Sequence, residues 1–199
     1  MATDAKPKER AGKPYRLTVR QFLEMIRQGI FPHDARIELL RGILVEHPKR
    51  STQHDFVVCE LANQLRKLLP TPWFVREEKS IELGRTSRAG PDIALIRGPR
   101  ELHHPGAPRA EAVGCLIEVS DSTYPYDRGV KWRVYASAMV PIYWIVNITK
   151  RQIEVYRDPQ GRGKAAIYRE LTVFGPDSEI PVLLEAQEIG KISVKDIIP

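Results

Sequence analysis

The chain has 199 residues, 42% hydrophobic and 28% charged, with a formal net charge of +6. That size and balance suit one soluble globular domain with a real core and exclude a low-complexity or helical-membrane class. No apolar run approaches the roughly 20 residues that span a bilayer, and the polar, basic start MATDAKPKERAGKP has no signal-peptide core. The expectation is a cytoplasmic protein with no membrane partner.

Residues 1–14 read as a disordered basic tail, and 15–199 as a single domain. The excess positive charge draws a protein toward phosphate backbones, although part of it sits in that tail. TVRQFLEMIRQG (18–29) has a Thr cap, helical spacing and a closing Gly, which predicts a helix with Phe22, Met25 and Ile26 inward. RIELLRGILVE (36–46) predicts a hairpin turning at Arg41-Gly42. STQHDFVVCELANQLRKLLP (51–70) is the strongest helix pattern. Ser51 or Thr52 caps it, Val57, Leu61, Leu65 and Leu68 form the stripe, and Pro70 ends it.

WFVREEKSIEL (73–83) reads as one extended strand with a polar middle. GPDIALI (90–96) and VGCLIEV (113–119) read as strands buried on both faces, joined by the Pro- and Gly-rich surface loop 97–112. YDRGVKWRVYASAM (126–139) predicts a second amphipathic helix and PIYWIVNI (141–148) another buried strand. QIEVYR, AAIYREL and EIPVLL follow as strands, and ISVKDII as a short terminal helix or strand. The order from residue 51 is helix, three strands, helix, strand, then a β-rich tail: a mixed α/β arrangement around one sheet. Cys59 and Cys115 sit in apolar periodic segments outside any zinc-ligand spacing and read as buried free thiols.

The chemistry-bearing signal is acid inside apolar strands. Asp92 in GPDIALI and Glu118 in CLIEVSDST are costly to bury without compensation. If their strands are neighbours, about 4.8 Å apart, the side chains converge at one sheet edge. A divalent cation relieves the repulsion, and oxygen ligands favour Mg²⁺ or Mn²⁺. The competing reading pairs each acid with its own arginine. Asp127 and Lys131, four apart on one helical face, are either a site element or an ordinary surface ion pair. Glu38 is a third acid among hydrophobic neighbours. His54 opens the main helix, where a lone histidine is more often structural, and His103 and His104 read as solvated loop residues.

Taken together, IELLRGILVE, His54 at the helix start, GPDIALI, LIEVSDST, DRGVKWRVYA and VPIYWIVN resemble the Uma-two family of endonucleases, part of the PD-(D/E)XK restriction-endonuclease-like superfamily. The resemblance spans about residues 15 to 190 and implies an α/β (α+β) restriction-endonuclease-like core. It also implies a Mg²⁺- or Mn²⁺-dependent endonuclease acting on DNA. By position, Asp92 and Glu118 would be metal ligands, Glu38 would complete the metal site directly or through water, and Lys131 would be the displaced catalytic lysine. Ser120 occupies the position usual for that lysine; Asp127 and His54 match positions of supporting residues. Cutting both strands implies two active sites, hence a homodimer by analogy. The alternatives are a nucleic-acid-binding module that has lost catalysis and a partner-binding protein on the same fold.

Overall fold

The computed structural model describes residues 12–198. Of the expected basic tail, residues 1–11 lie outside the described residues, and 12–14 are exposed without regular structure. In chain order the elements are α1 (Val19–Arg27), β1 (Ile37–Leu40), β2 (Ile43–Glu46), α2 (Thr52–Leu68), β3 (Trp73–Glu77), β4 (Ile81–Glu82), β5 (Arg88–Ala89), β6 (Ile93–Arg97) and β7 (Val113–Ser120). A helical crossover follows: α3 (Tyr124–Tyr126), a π-turn (Asp127–Lys131) and α4 (Trp132–Ser137). The chain ends in β8 (Ile142–Asn147), β9 (Gln152–Gln160), β10 (Ile167–Phe174), β11 (Glu179–Leu184) and β12 (Gln187–Ser193). Among the described residues no helix is long and apolar enough to cross a membrane.

The core is a six-stranded sheet in the order β10-β9-β8-β7-β6-β3. Only β7 and β8 pair in parallel, and the α3–α4 crossover supplies the long connection that a parallel pair needs. Every residue of β7 and β8 is buried, because helices or strands cover both faces of the centre. On one face Val57, Leu61 and Leu65 of α2 pack against Ile93, Leu95, Ile117 and Val119. On the other, Val134 and Tyr135 of α4 meet Leu116, Tyr143 and Ile145. Ser51 caps α2 by accepting from the His54 N–H, which orients the first turn of the helix.

The mixed core sheet is as expected, and beside it stand a four-stranded sheet (β2-β1-β5-β4) and the hairpin β11-β12. Three expectations are corrected. The expected strand 73–83 is two, because its polar middle leaves the large sheet at Glu78, whose φ is 49°. In α1 the inward residues are Val19 and Phe22, whereas Ile26 is exposed because the nine-residue helix covers its small sheet with its first turns only. Cys115 is buried but Cys59 is exposed, since it falls on the side of α2 opposite the Val57–Leu61–Leu65 stripe.

The segment Gly90-Pro91-Asp92 carries the chain from β5 of the small sheet directly into β6 of the large one. Glu38, on β1, accepts a hydrogen bond of 2.7 Å from the Gly90 N–H and fixes this junction. The two sheets therefore meet beside Asp92.

Candidate active site

The strand register brings the two acids together. β6 and β7 are adjacent and antiparallel, with Ile93 opposite Ile117, so Asp92 at the start of β6 lies across from Glu118. The Val119 N–H donates to Asp92 Oδ2 at 2.8 Å. Both carboxylates line one cleft of about 140 Å³, together with His54, Asp127 and Lys131. All five are buried to 7% exposure or less. The larger recess of about 710 Å³ beside Thr18, Arg20 and Arg85 is lined by none of the buried charged side chains.

Lys131 is the centre of charge. Its Nζ stands 2.9 Å from Glu118 Oε1 and 3.4 Å from Glu38 Oε1. Burial works against the ammonium, but the charges of Glu118, Glu38, Asp127 and Asp92 more than offset it and raise its pKa above the ordinary lysine value. Lys131 is thus a fixed positive charge. The surface-pair alternative with Asp127 fails: both residues are buried, and Asp127 instead accepts from the hydroxyls of Ser120 and Thr123, each at 2.7 Å. The π-turn widens the helix where these residues enter the cleft, a distortion common at functional positions.

The four acids differ in electrostatics. Burial raises Glu118 well above its ordinary value, and the charges of Asp92, Asp127 and Glu38 add to this against the pull of Lys131. Tyr135 donates its hydroxyl proton to Glu118 at 2.5 Å. Burial also raises Asp127, despite Lys131 and its two hydroxyl donors. Asp92 goes the other way. Burial opposes its ionisation, but the hydrogen bond and charge of His54, the charge of Lys131 and the Val119 N–H hold it at about 2. Glu38 is lowered because Lys131, His47 and the Gly90 N–H outweigh its burial.

His54 stands between two carboxylates, with Nε2 3.1 Å from Asp92 and Nδ1 3.2 Å from Asp55. Both ring nitrogens can donate only in the imidazolium form. Burial disfavours that charge, yet the Asp92 and Asp55 contacts prevail and raise its pKa. Ser120, fully buried, holds Asp127 rather than facing the acids as a lysine would. The arginine-pair alternative is realised for one acid alone: Arg50 Nη2 lies 3.0 Å from Asp92 Oδ1. Glu38 borders a neighbouring recess with His47, Arg50 and Glu78, and reaches the cleft through Lys131. His103 bonds the Arg97 carbonyl at 3.1 Å, away from the cleft.

Arg50, His47 and Tyr135 are the residues that sequence reading missed. His47 Nε2 lies 2.8 Å from Glu38 Oε2. Arg50 and His47 sit in a polar linker whose sequence carries no periodicity, and Tyr135 matches the helical core pattern.

The donor chemistry fits a hard divalent cation. Asp92 and Glu118 offer carboxylate oxygens at one strand end, and Mg²⁺ is commonly held by one or two carboxylates with waters completing the shell. Among the described residues no group of three His, Cys, Asp or Glu side chains is arranged to enclose an ion. Glu38 is accordingly joined to the acid pair by Lys131.

The sequence model of the Uma2 family, described as "Putative restriction endonuclease", matches residues 19–193. A crystal structure from Anabaena variabilis ATCC 29413, described as "a putative nuclease belonging to DUF820", has the same fold. It aligns with a TM-score of 0.64 at 18% identity, covering 91% of this chain and 97% of its own. No curated protein matches the sequence.

Proposed function

The chain belongs to the Uma2 family, and from that membership we propose that its cleft is the active site of a metal-dependent endonuclease that hydrolyses phosphodiester bonds in DNA. The observation that carries this reading is the register of β6 and β7, which puts Asp92 and Glu118 across from each other beside a buried ammonium. Asp92 and Glu118 would hold Mg²⁺ or Mn²⁺, with Glu38 behind them through Lys131. Bound there, the ion supplies a more acidic water and a counter-charge for the phosphate.

The protein's own residues do the rest. Lys131 keeps its proton, so it acts as a charge against the developing phosphate negative charge and not as the base. His54, as imidazolium, adds positive charge from the first turn of α2 and pins Asp92. Ser120 and Thr123 hold Asp127, and Tyr135 orients Glu118. Burial of these groups in a narrow cleft strengthens each interaction relative to water. Cutting both strands takes two such clefts, which a homodimer supplies.

A second reading, a nucleic-acid-binding module without catalysis, is favoured by one observation: Asp92, Glu118 and Glu38 are each already satisfied by protein donors. Incubating supercoiled plasmid with Mg²⁺, Mn²⁺ or EDTA separates the two. Nicking that needs the ion supports the enzyme; retention of DNA in a gel shift without nicking at any ion concentration supports the module.

A further inference from the structure

Arg50 sits in the linker between β2 and α2 and is the partition between two recesses. It lines the Asp92–Glu118 cleft on one side and the Glu38–Glu78 recess on the other. Its guanidinium is shared by two acids: Nη2 lies 3.0 Å from Asp92 Oδ1, and Nη1 lies 2.5 Å from Glu78 Oε1. Both oxygens of Asp92 therefore carry protein donors. Oδ1 is taken by Arg50, and Oδ2 by the Val119 N–H and His54. Oδ1 keeps one lone pair, but a cation that takes it meets the guanidinium charge held 3.0 Å from the same oxygen.

Two features show where Arg50 can go. Its Nε is buried and has no hydrogen-bond partner among the described residues, so the guanidinium keeps an unused donor. Its second anchor, Glu78, is 41% exposed at the side chain and is therefore a weakly held partner. Arg36, Lys49 and the first turn of α2 line the same cleft mouth, so an incoming phosphate meets positive charge there. A guanidinium fork pairs with phosphate as readily as with carboxylate.

We propose that Arg50 exchanges partners: it closes Asp92 in the free protein and moves to a nucleic-acid phosphate when substrate enters, so that the substrate itself opens Asp92 to the metal ion. The proposal rests on the nuclease reading above and adds to it a substrate-binding residue and a reason for metal and DNA to bind together. The exchange moves one charged group between two anions, so the cleft never holds an unpaired guanidinium.

The test is a pair of titrations on full-length protein: Mn²⁺ alone by calorimetry, and a fluorescent DNA duplex in EDTA by anisotropy, where no cleavage occurs. Arg50→Met should bind Mn²⁺ about tenfold more tightly, as expected if the closed state is populated about nine-tenths of the time. The same variant should bind DNA more weakly, with a salt slope reduced by about 1. Lys49→Met makes the same charge change at the cleft mouth without touching Asp92. It should weaken DNA binding and leave Mn²⁺ affinity within about twofold, well short of the shift caused by opening a closed state.

Equal tightening of Mn²⁺ in both variants would mean general charge and overturn the exchange. So would an unchanged Mn²⁺ affinity in Arg50→Met. If that variant does not fold, Glu78→Gln carries the test: with one anchor removed, DNA binding should tighten, and no change overturns the proposal. Asp92→Asn separates the two readings. If it leaves Mn²⁺ binding intact, the metal assignment fails; if it abolishes binding while Arg50→Met does not tighten it, only the exchange fails.

Discussion

The Lys131 ammonium lies between two carboxylates from different sheets, 2.9 Å from Glu118 of the large sheet and 3.4 Å from Glu38 of the small one. It is the electrostatic joint between the two halves of the site. Because all three groups are buried, removing the cation alone leaves the two acids without the positive charge between them.

Lys131→Met should therefore destabilise the protein by about 3–5 kcal/mol, the usual cost of breaking a buried pair from one side. Millimolar Mn²⁺ should restore more thermal stability to this variant than to the wild type, because the ion replaces the lost charge between the acids. Thermal denaturation with and without Mn²⁺ checks this, and equal gains in both proteins would remove Lys131 from the metal's surroundings.

Metal binding should release protons. Burial raises Glu118 well above its ordinary value of 4.5, so its carboxyl holds a proton to higher pH than a free glutamate does. An ion that needs the carboxylate displaces that proton, and Mn²⁺ affinity rises with pH. Calorimetric titration in buffers of different ionisation enthalpy reads the proton directly. An enthalpy independent of buffer would mean that the ion takes no proton from Glu118.

The His54–Asp92 pair predicts a stability window. Asp92 is held at about 2, below its ordinary 3.8, so its contribution is full above that ordinary value and is lost as pH falls toward 2. His54 is raised above its ordinary 6.5, so its contribution is full below 6.5 and is lost as pH rises through the folded value. The pair stabilises most between roughly pH 4 and 6.5. Urea unfolding of wild type and His54→Asn across pH 3 to 9 should show the largest difference inside that window; a constant difference would leave His54 uncharged.

Ser120→Ala removes one of the two hydroxyls on buried Asp127. It should cost about 1–3 kcal/mol from the under-satisfied carboxylate. Nicking should fall less than in Lys131→Met, because Ser120 acts through Asp127. Chemical denaturation alongside a nicking assay distinguishes this from a direct role, in which activity would vanish at unchanged stability.

Much of the site was legible because burying charge is costly. Asp92 and Glu118 stand out as acids in apolar strands, and Glu38 likewise in IELL; the structure gathers all three around Lys131. The α2 pattern was legible for the same reason in reverse, since Val57, Leu61 and Leu65 repeat at helical spacing and are fully buried. Arg50 was not, because its partner Asp92 lies 42 residues away and nothing in a polar linker records such a contact; His47 was not, because a histidine just past a hairpin strand reads the same whether it faces solvent or Glu38. The break at Glu78 was hidden too: a polar stretch in a strand looks the same whether it faces solvent or crosses to another sheet.

In the proposed reaction Asp92 and Glu118 serve one metal ion in phosphodiester hydrolysis. Nicking of supercoiled plasmid, measured across Mg²⁺ and Mn²⁺ concentrations for wild type, Asp92→Asn and Glu118→Gln, tests it most directly. Wild-type nicking is expected only with the ion present, with a loss of at least about a hundredfold in each variant and circular dichroism showing both folded. Nicking in EDTA, or wild-type rates in either folded variant, would contradict it.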